Sequence, residues 1–501
     1  GQLEPRTLQR FSGFFIACQP KSMPARGAAA TIAPFFHIRT LMTRYFDAEL
    51  IGKYSQSGPR YTSYPTAVEF HDRFTAADYI RHLEAGNAAG RDLSLYVHIP
   101  FCEHVCYYCG CNKIITRNHD QSDEYLDQLE RDIARQAAHI DKSRRVIQLH
   151  LGGGTPTFLN HGQLRRLLAM LHAHFPNFAA DDAGEYSIEI DPRTVSPDDL
   201  RFLRELGFNR VSFGVQDFDP AVQKAVNRIQ SFEHVRDTIA AAREAGYHSI
   251  SADLIYGLPL QSVRTFSRTL EQIRALAPDR LAVFNYAHMP HIFGAQKQIN
   301  AADLPDAATK LQLLQATIEQ LTGGGYEFIG LDHFALPGDS LVRHQREGTL
   351  YRNFQGYSTF SECELLGFGI SAISMLDGCY SQHEKARSRY YQALNNGGIP
   401  VLRGIELSRD DRIRHHVITE IMCNLRLDLA AVSQRWSIDA PQYFAREWQA
   451  LQPLAADDLI KIDGNRVDVQ PLGRLLIRNI AMVFDAYLHK AENSKRFSKV
   501  I

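Results

Sequence analysis

No apolar run in these 501 residues approaches the roughly 20 that a membrane-crossing helix needs, because charges or prolines interrupt the nearest candidates. Net charge is also missing: 55 Lys and Arg stand against 56 Asp and Glu, a formal −1. No global field therefore draws the chain to nucleic acid or an anionic membrane, and any anionic ligand must be met by a local basic pocket. Cysteine is scarce, eight in all, and too unevenly spread for a disulfide framework. Fixed-period repeats and low-complexity tracts are absent. What is present, 45% apolar and 22% charged residues, is the balance of a soluble globular protein, long enough for a large domain and a smaller one.

Residues 1–41 read differently from the rest, with five Lys or Arg, Glu4 as the one acid, and the small-residue patch Gly27-Ala28-Ala29-Ala30. A targeting leader and a disordered or non-native start upstream of Met42 both fit, and the second is preferred. Residues 42–92 are expected to form a segment covering the active site. From Leu93, short β-branched runs alternate with helical patterns. The expected strands are Leu95–Ile99, Val146–Leu151, Tyr186–Ile190, Arg210–Val215, Ser249–Ile255, Leu281–Tyr286 and Phe328–Leu331. Between them lie stripes such as Tyr125, Leu126, Leu129 and Ile133. This order predicts parallel strands with crossover helices over 93–376, either a barrel or a doubly wound sheet. Residues 377–501 read as a smaller, mainly helical domain, with the turn signal Asn395-Asn396-Gly397-Gly398 near its start.

Four cysteines fall within ten residues: Cys102, Cys106, Cys109 and Cys111. The first three, at C-x3-C-x2-C directly after an expected strand, can wrap a loop around an iron–sulfur cubane and leave one iron open for a nitrogen and oxygen chelate. A zinc site completed by Cys111, His98 or His104 is the competing reading. It lacks the second, distant ligand pair that structural zinc sites usually bring, and the clustering suits a reducing compartment, the cytoplasm.

This spacing ahead of a strand–helix series resembles the radical S-adenosylmethionine (SAM) superfamily. Five further stretches, Gly58-Pro-Arg-Tyr-Thr-Ser-Tyr-Pro65, the Cys-Gly-Cys ending at Cys111, Gly152-Gly-Gly-Thr-Pro156, Gly214-Val-Gln-Asp217 and Arg352-Asn-Phe-Gln-Gly-Tyr357, resemble the oxygen-independent coproporphyrinogen III oxidases. The resemblance runs from about Ala48 to Ile501. It implies an α/β fold, a partial (β/α) TIM-like barrel with a mainly helical C-terminal domain, and a [4Fe–4S] cluster held by Cys102, Cys106 and Cys109. Cys111 is not a ligand in that family, since a fourth thiolate would close the open iron. Related heme chaperones, as a group, carry an aromatic residue at that position and lack the Arg-Asn-Phe-Gln-Gly-Tyr stretch.

Other residues gain meaning beside this loop. Gly152–Pro156 follows a strand and precedes a helix, offering backbone N–H groups to a polar ligand. Glu189, near a strand end, suits ribose hydroxyls. Gln216, Asp253 and Ala287 fall at or just past strand C-terminal ends, the edge where barrels bind ligands; alone, each reads as an ordinary cap or loop residue. The resemblance implies two SAM molecules, the first meeting Tyr96, Gly153, Glu189 and Ile373. The second would meet Tyr108, Gly110, Gly154, Thr155, Gln216, Arg228, Asp253 and Ala287. Tyr108 stands where the family commonly has Phe.

The implied substrate, coproporphyrinogen III, carries four propionates, and Arg60, Lys113, Arg117, Arg346 and Arg352 lie in family-like segments. The implied reaction converts two propionates to vinyl groups through a 5′-deoxyadenosyl radical, giving protoporphyrinogen IX. It needs an electron donor and a final electron acceptor that the sequence does not identify. No acid–base pair or catalytic triad is required, and none is visible. A heme-carrying protein without decarboxylase activity is the alternative class, for which His288 and His333 are the hints. No coiled-coil seam demands an oligomer, and a monomer is expected.

Overall fold

The computed structural model describes residues 45–361 and 363–488. The extension 1–41 and the start expected at Met42 lie outside these. A twelve-stranded sheet organises the chain. In chain order its strands are β1 (Leu93–Ile99), β2 (Val146–Gly153), β3 (Glu185–Ile190), β4 (Arg210–Gln216), β5 (Ser249–Tyr256), β6 (Arg280–Asn285), β7 (Glu327–Gly330), β8 (His333–Ala335), β9 (Glu364–Phe368), β10 (Ile373–Leu376), β11 (Cys379–His383) and β12 (Val401–Glu406). Across the sheet they stand β12-β11-β10-β9-β1-β2-β3-β4-β5-β6-β8-β7.

Strands β1 to β6 are parallel neighbours in strict sequence order, and β9 joins β1 in parallel on the other side. Right-handed crossovers between consecutive neighbours put every connecting helix on one face, whereas a doubly wound sheet reverses its order midway. That order makes the chain an open (β/α) barrel. The helices are α1 (Ala76–Ala89), α2 (Asp120–Ala137), α3 (His161–His174), α4 (Pro197–Glu205), α5 (Phe232–Glu244), α6 (Val263–Leu276) and α7 (Ala307–Gly323), of which α2 to α6 are the crossovers between β1 and β6. Their starts are set locally. Asn160 with Gln163, Ser196 with Asp199 and Ser262 with Thr265 form reciprocal caps, and Pro197 occupies the first turn of α4.

The apolar stripe of α2, Tyr125, Leu126, Leu129 and Ile133, is fully buried against odd-numbered β1 residues such as Leu95 and Val97. The opposite, concave face of the strands is polar: Tyr96 and His98 on β1, His150 on β2, Ser187 and Glu189 on β3, Ser212 on β4, Asp253 on β5. Pairing aligns Tyr96 with His150, His150 with Ser187, and Glu189 with Ser212. A period-two alternation thus divides an apolar, helix-covered side from a polar hollow.

Two departures from the sequence expectation concern the sheet's ends. The strand expected at Phe328–Leu331 does not adjoin β6, because the three-residue β8 is inserted antiparallel between them. The sheet also continues past residue 376 through the antiparallel strands β11 and β12, so helical packing takes over only after Glu406. There α8 (Arg409–Asn424) begins, and a three-stranded sheet of Arg426–Asp428, Arg466–Val469 and Ile460–Asp463 follows. This region has its own core, to which Tyr61 and Tyr64 of the N-terminal segment contribute. The same segment bridges β12, where His71 and Gly404 exchange backbone hydrogen bonds of 2.9 and 3.1 Å.

Candidate active site

The cysteine loop leaves β1 at Ile99 and is pinned on three sides. Phe101–Cys102 pairs in parallel with Ile114–Ile115, and the Ile114 N–H donates to the Pro100 carbonyl at 2.7 Å. The Tyr107 N–H donates to the Val226 carbonyl at 3.0 Å, and the Asn227 amide to the Val105 carbonyl at 2.8 Å. The glycine turn after β2 closes the third side, with Gly154 N–H on Ile99 O and Thr155 N–H on Phe101 O, both 2.8 Å. A Cβ on Gly154 would stand 2.7 Å from backbone atoms of Pro100 and Phe101, so only glycine permits this approach.

The turn's amide hydrogens are therefore committed, Gly153 N–H going to Glu189 Oε2 at 3.1 Å. This corrects the expectation of free N–H donors: the turn can present carbonyl oxygen, which suits an amino group better than an anion.

The three thiols share one electropositive neighbourhood. Arg228, buried, places Nη1 3.5 Å from Cys106 Sγ and 3.0 Å from Asp191 Oδ2. Arg193, paired with Asp191 at 2.6 Å, comes within 3.9 Å of the same sulfur. The Thr155 hydroxyl and the Cys111 N–H each lie 3.4 Å from sulfur, of Cys102 and Cys109 respectively, and Lys113 Nζ bonds the Cys109 carbonyl at 3.1 Å. Burial, with the neighbouring Cys109 and Cys106 thiols adding to it, pushes the Cys102 thiol up to about 11. Guanidinium and N–H groups around three unbridged thiols suit an anionic thiolate-bound cluster.

Zinc fits less well. His98 is turned to Tyr96 and to the Asn112 carbonyl, and His104 is exposed.

Tyr96, Gly153 and Glu189 form one wall of the hollow. The Tyr96 ring stacks on His150 at 5.8 Å, and His150 Nε2 lies 3.3 Å from Glu189 Oε1. Burial alone would raise the Glu189 carboxyl, but the His150 hydrogen bond and charge and the Gly153 N–H outweigh it and hold the group below its usual range. Its oxygens stay ionised acceptors with 44% of the side-chain surface accessible. Ile373 and Tyr96 both pack, with Phe354, against a small apolar cluster that contains Phe70.

The second expected group is drawn from five strands, β1, β2, β4, β5 and β6, and the loops that follow them. A bulge at the end of β4 leaves Gln216 at φ +68°, and Gly214 is packed between the Gln216 amide and Arg228, which donates to the Gly214 carbonyl at 2.5 Å. Asp253 accepts from Ser212 at 3.3 Å; burial, then the Glu189 charge, pushes its carboxyl up to about 7. Gln296, buried, donates to the carbonyls of both Tyr108 and Ala287 at 3.0 and 3.3 Å, and the Phe293 ring packs against Gly110. Sequence reasoning missed Asp191, Arg193, His150, Gln296 and Phe293. The polar alternation along β1 to β5 is a signal for His150, whereas the others act through contacts between distant segments.

The basic candidates separate. Arg60 is paired with Asp332, and Arg352 is buried over the Tyr357 ring at 4.8 Å. Arg346 is exposed and paired with Glu327 away from the hollow, and Arg117 is exposed. His288 is bonded to the Tyr286 hydroxyl at 2.9 Å.

The model of the radical SAM superfamily matches residues 96–273, and that of the HemN C-terminal domain residues 407–476. The chain is 50% identical over 461 residues to the oxygen-independent coproporphyrinogen III oxidase of Pseudomonas aeruginosa, covering 92% of this chain and all of that protein. To the Escherichia coli protein of the same name it is 50% identical over 456 residues, 91% and 98% of the two chains. The solved structure of Escherichia coli coproporphyrinogen III oxidase, described as a radical SAM enzyme, superposes with a TM-score of 0.84 at 49% identity, over 89% of this chain and 99% of that one.

Proposed function

The chain belongs to the oxygen-independent coproporphyrinogen III oxidases of the radical SAM superfamily, and from that premise we propose how its residues divide the work. The enzyme carries out the anaerobic oxidative decarboxylation of two propionate side chains of coproporphyrinogen III to vinyl groups, giving protoporphyrinogen IX. Its cofactors are a [4Fe–4S] cluster and SAM, which together supply the 5′-deoxyadenosyl radical that takes a hydrogen atom from each reacting propionate.

Cys102, Cys106 and Cys109 hold the cluster, and Arg228 and Arg193 offset its negative charge. Cys111 stays outside the ligand set. Glu189, kept ionised and accessible, receives the ribose hydroxyls of one SAM beside Tyr96, Gly153 and Ile373. A second SAM is met by Tyr108, Gly110, Gly154, Thr155, Gln216, Arg228, Asp253 and Ala287. The concave strand face contributes position and exclusion of water rather than proton transfer.

The observation that carries this reading is the meeting of the pinned, guanidinium-flanked cysteine loop with Glu189 across the glycine turn. Among the described residues no helix is long and apolar enough to cross a membrane. Free thiols suit a cytoplasmic enzyme, a monomer served by an external one-electron donor and a separate final acceptor. The test is anaerobic reconstitution with iron and sulfide, then incubation with SAM, a strong reductant and coproporphyrinogen III. The expected result is 5′-deoxyadenosine and carbon dioxide accumulating in step. Deoxyadenosine without carbon dioxide would move the substrate, and a protein retaining only zinc would overturn the cluster.

A further inference from the structure

Beyond the cofactor hollow, a cavity of about 550 Å³ opens at the C-terminal ends of β5 and β6, next to Ala287. Its walls come from distant parts of the chain and carry Arg60 of the N-terminal segment, Lys310 of α7, Asp332 between β7 and β8, and Arg478 of the C-terminal region. Charge in this wall is unbalanced. Asp332 is already taken by Arg60. Lys310 is half-buried, its Nζ donates to the Tyr286 carbonyl at 3.1 Å, and desolvation lowers its pKa with no acidic group acting on it.

Arg478 holds the Gly58 and Pro59 carbonyls. Burial and then the Arg60 charge push its guanidinium down to about 10, with Arg352 adding further repulsion. Behind the wall Arg352 is 6% exposed, and its Nε and Nη1 have no hydrogen-bond partner among the described residues. His333, repelled by Arg352 and Arg60 after its own burial, is held well below its usual range and cannot add or remove charge at neutral pH.

Among the described residues of this wall Lys310 and Arg60 share a single carboxylate, Asp332, with Arg352 buried behind it, a costly arrangement in a partly desolvated site unless an anion completes it. The wall also offers a neutral acceptor, Asn285 Oδ1, which is buried and unpartnered among the described residues. We propose that this cavity anchors substrate carboxylates: propionates of the macrocycle that are held while another reacts bind Lys310 and Arg60, within the field of Arg478 and Arg352. The proposal rests on the tetracarboxylate substrate stated above and assigns those carboxylates a place, with Asp332 as the internal competitor that occupies Arg60 until a propionate displaces it. Anchoring here, beside Ala287, would set which side chain of the ring reaches the cofactor hollow.

Opposite substitutions test it. The reconstituted enzyme is titrated with coproporphyrin III, the stable oxidised form of the substrate, by fluorescence quenching at several salt concentrations, and KM for coproporphyrinogen III is measured in parallel. Lys310→Met should weaken binding about tenfold and flatten its salt dependence, while Asp332→Asn, by releasing Arg60, should tighten it severalfold. Iron content and SAM affinity should stay as in the parent enzyme for both. A merely structural role would not move two neighbouring variants in opposite directions. If the parent binds and decarboxylates while both variants keep its Kd and KM, the anchor is elsewhere. If the parent itself neither binds coproporphyrin III nor releases carbon dioxide, the substrate reading falls and the anchor with it.

Discussion

Gly153 and Glu189 are joined by a 3.1 Å hydrogen bond from the glycine N–H to the carboxylate, so the glycine turn and the third strand are set as one unit. Gly153 has φ +117°, and a Cβ there would stand 2.6 Å from the His98 ring. Gly153→Ala should therefore cost roughly 2–4 kcal/mol of stability and abolish measurable SAM binding. Thermal unfolding and SAM titration check this; a variant with unchanged SAM affinity would separate the turn from the site.

Cys106 is buried between two guanidinium groups, whereas Cys111 is exposed at the end of the loop. Cys106→Ala should reconstitute with little cluster, and Cys111→Ala should hold iron and sulfide close to the parent's content. Equal loss in both would make Cys111 a ligand.

Asp253 faces Glu189, His150, Ser212 and Arg228, and its carboxyl is pushed up to about 7 against an ordinary 3.8. A raised acid is protonated in the folded chain and pays no ionisation cost below about pH 4; stability is then lost as pH rises to about 7 and stays lower above it. Asp253→Asn removes that loss, so its melting temperature should gain on the parent between pH 5 and pH 8. Allowing for solvent in the hollow, the gain corresponds to about 1–3 kcal/mol. A pH-independent difference would contradict the shift.

At the opposite end of the barrel, Arg144 and Glu364 form an ion pair of 2.7 Å with side chains 1% and 2% exposed. Glu364 also accepts from the Asp377 N–H at 3.1 Å. Glu364→Ala would leave a buried guanidinium without its counter-charge, a cost of about 3–5 kcal/mol. The melting temperature should fall steeply while deoxyadenosine formation at low temperature persists.

Much of this was legible in the residues themselves. The six sequential strands announce themselves by β-branched runs between amphipathic helices, and the cysteine spacing points to a metal centre whose kind is decided by the family-like segments around it. β9 and β12 do not, because a strand such as Glu364–Phe368 earns its place by pairing with Leu93–Val97 some 270 residues away, a contact that local periodicity does not encode. β8, three residues long, carries too short a pattern to read. In the site, Glu189 and Asp253 gain a role from the sequence only beside the family resemblance, and Gln296 is an unremarkable loop glutamine until folding places the Tyr108 and Ala287 carbonyls on either side of it. Arg193 and Asp191 likewise acquire meaning only beside a sulfur that arrives from 87 residues before Arg193.

An open barrel has two unpaired margins, and the backbone bridge between His71 and Gly404 occupies part of one of them. The stretch leading to α1 thus works as an edge guard. Shortening the chain through residue 75 would bare the flank of Val401–Glu406 as a template for strand addition. Such a product should self-associate, so truncation would first appear as a solubility defect.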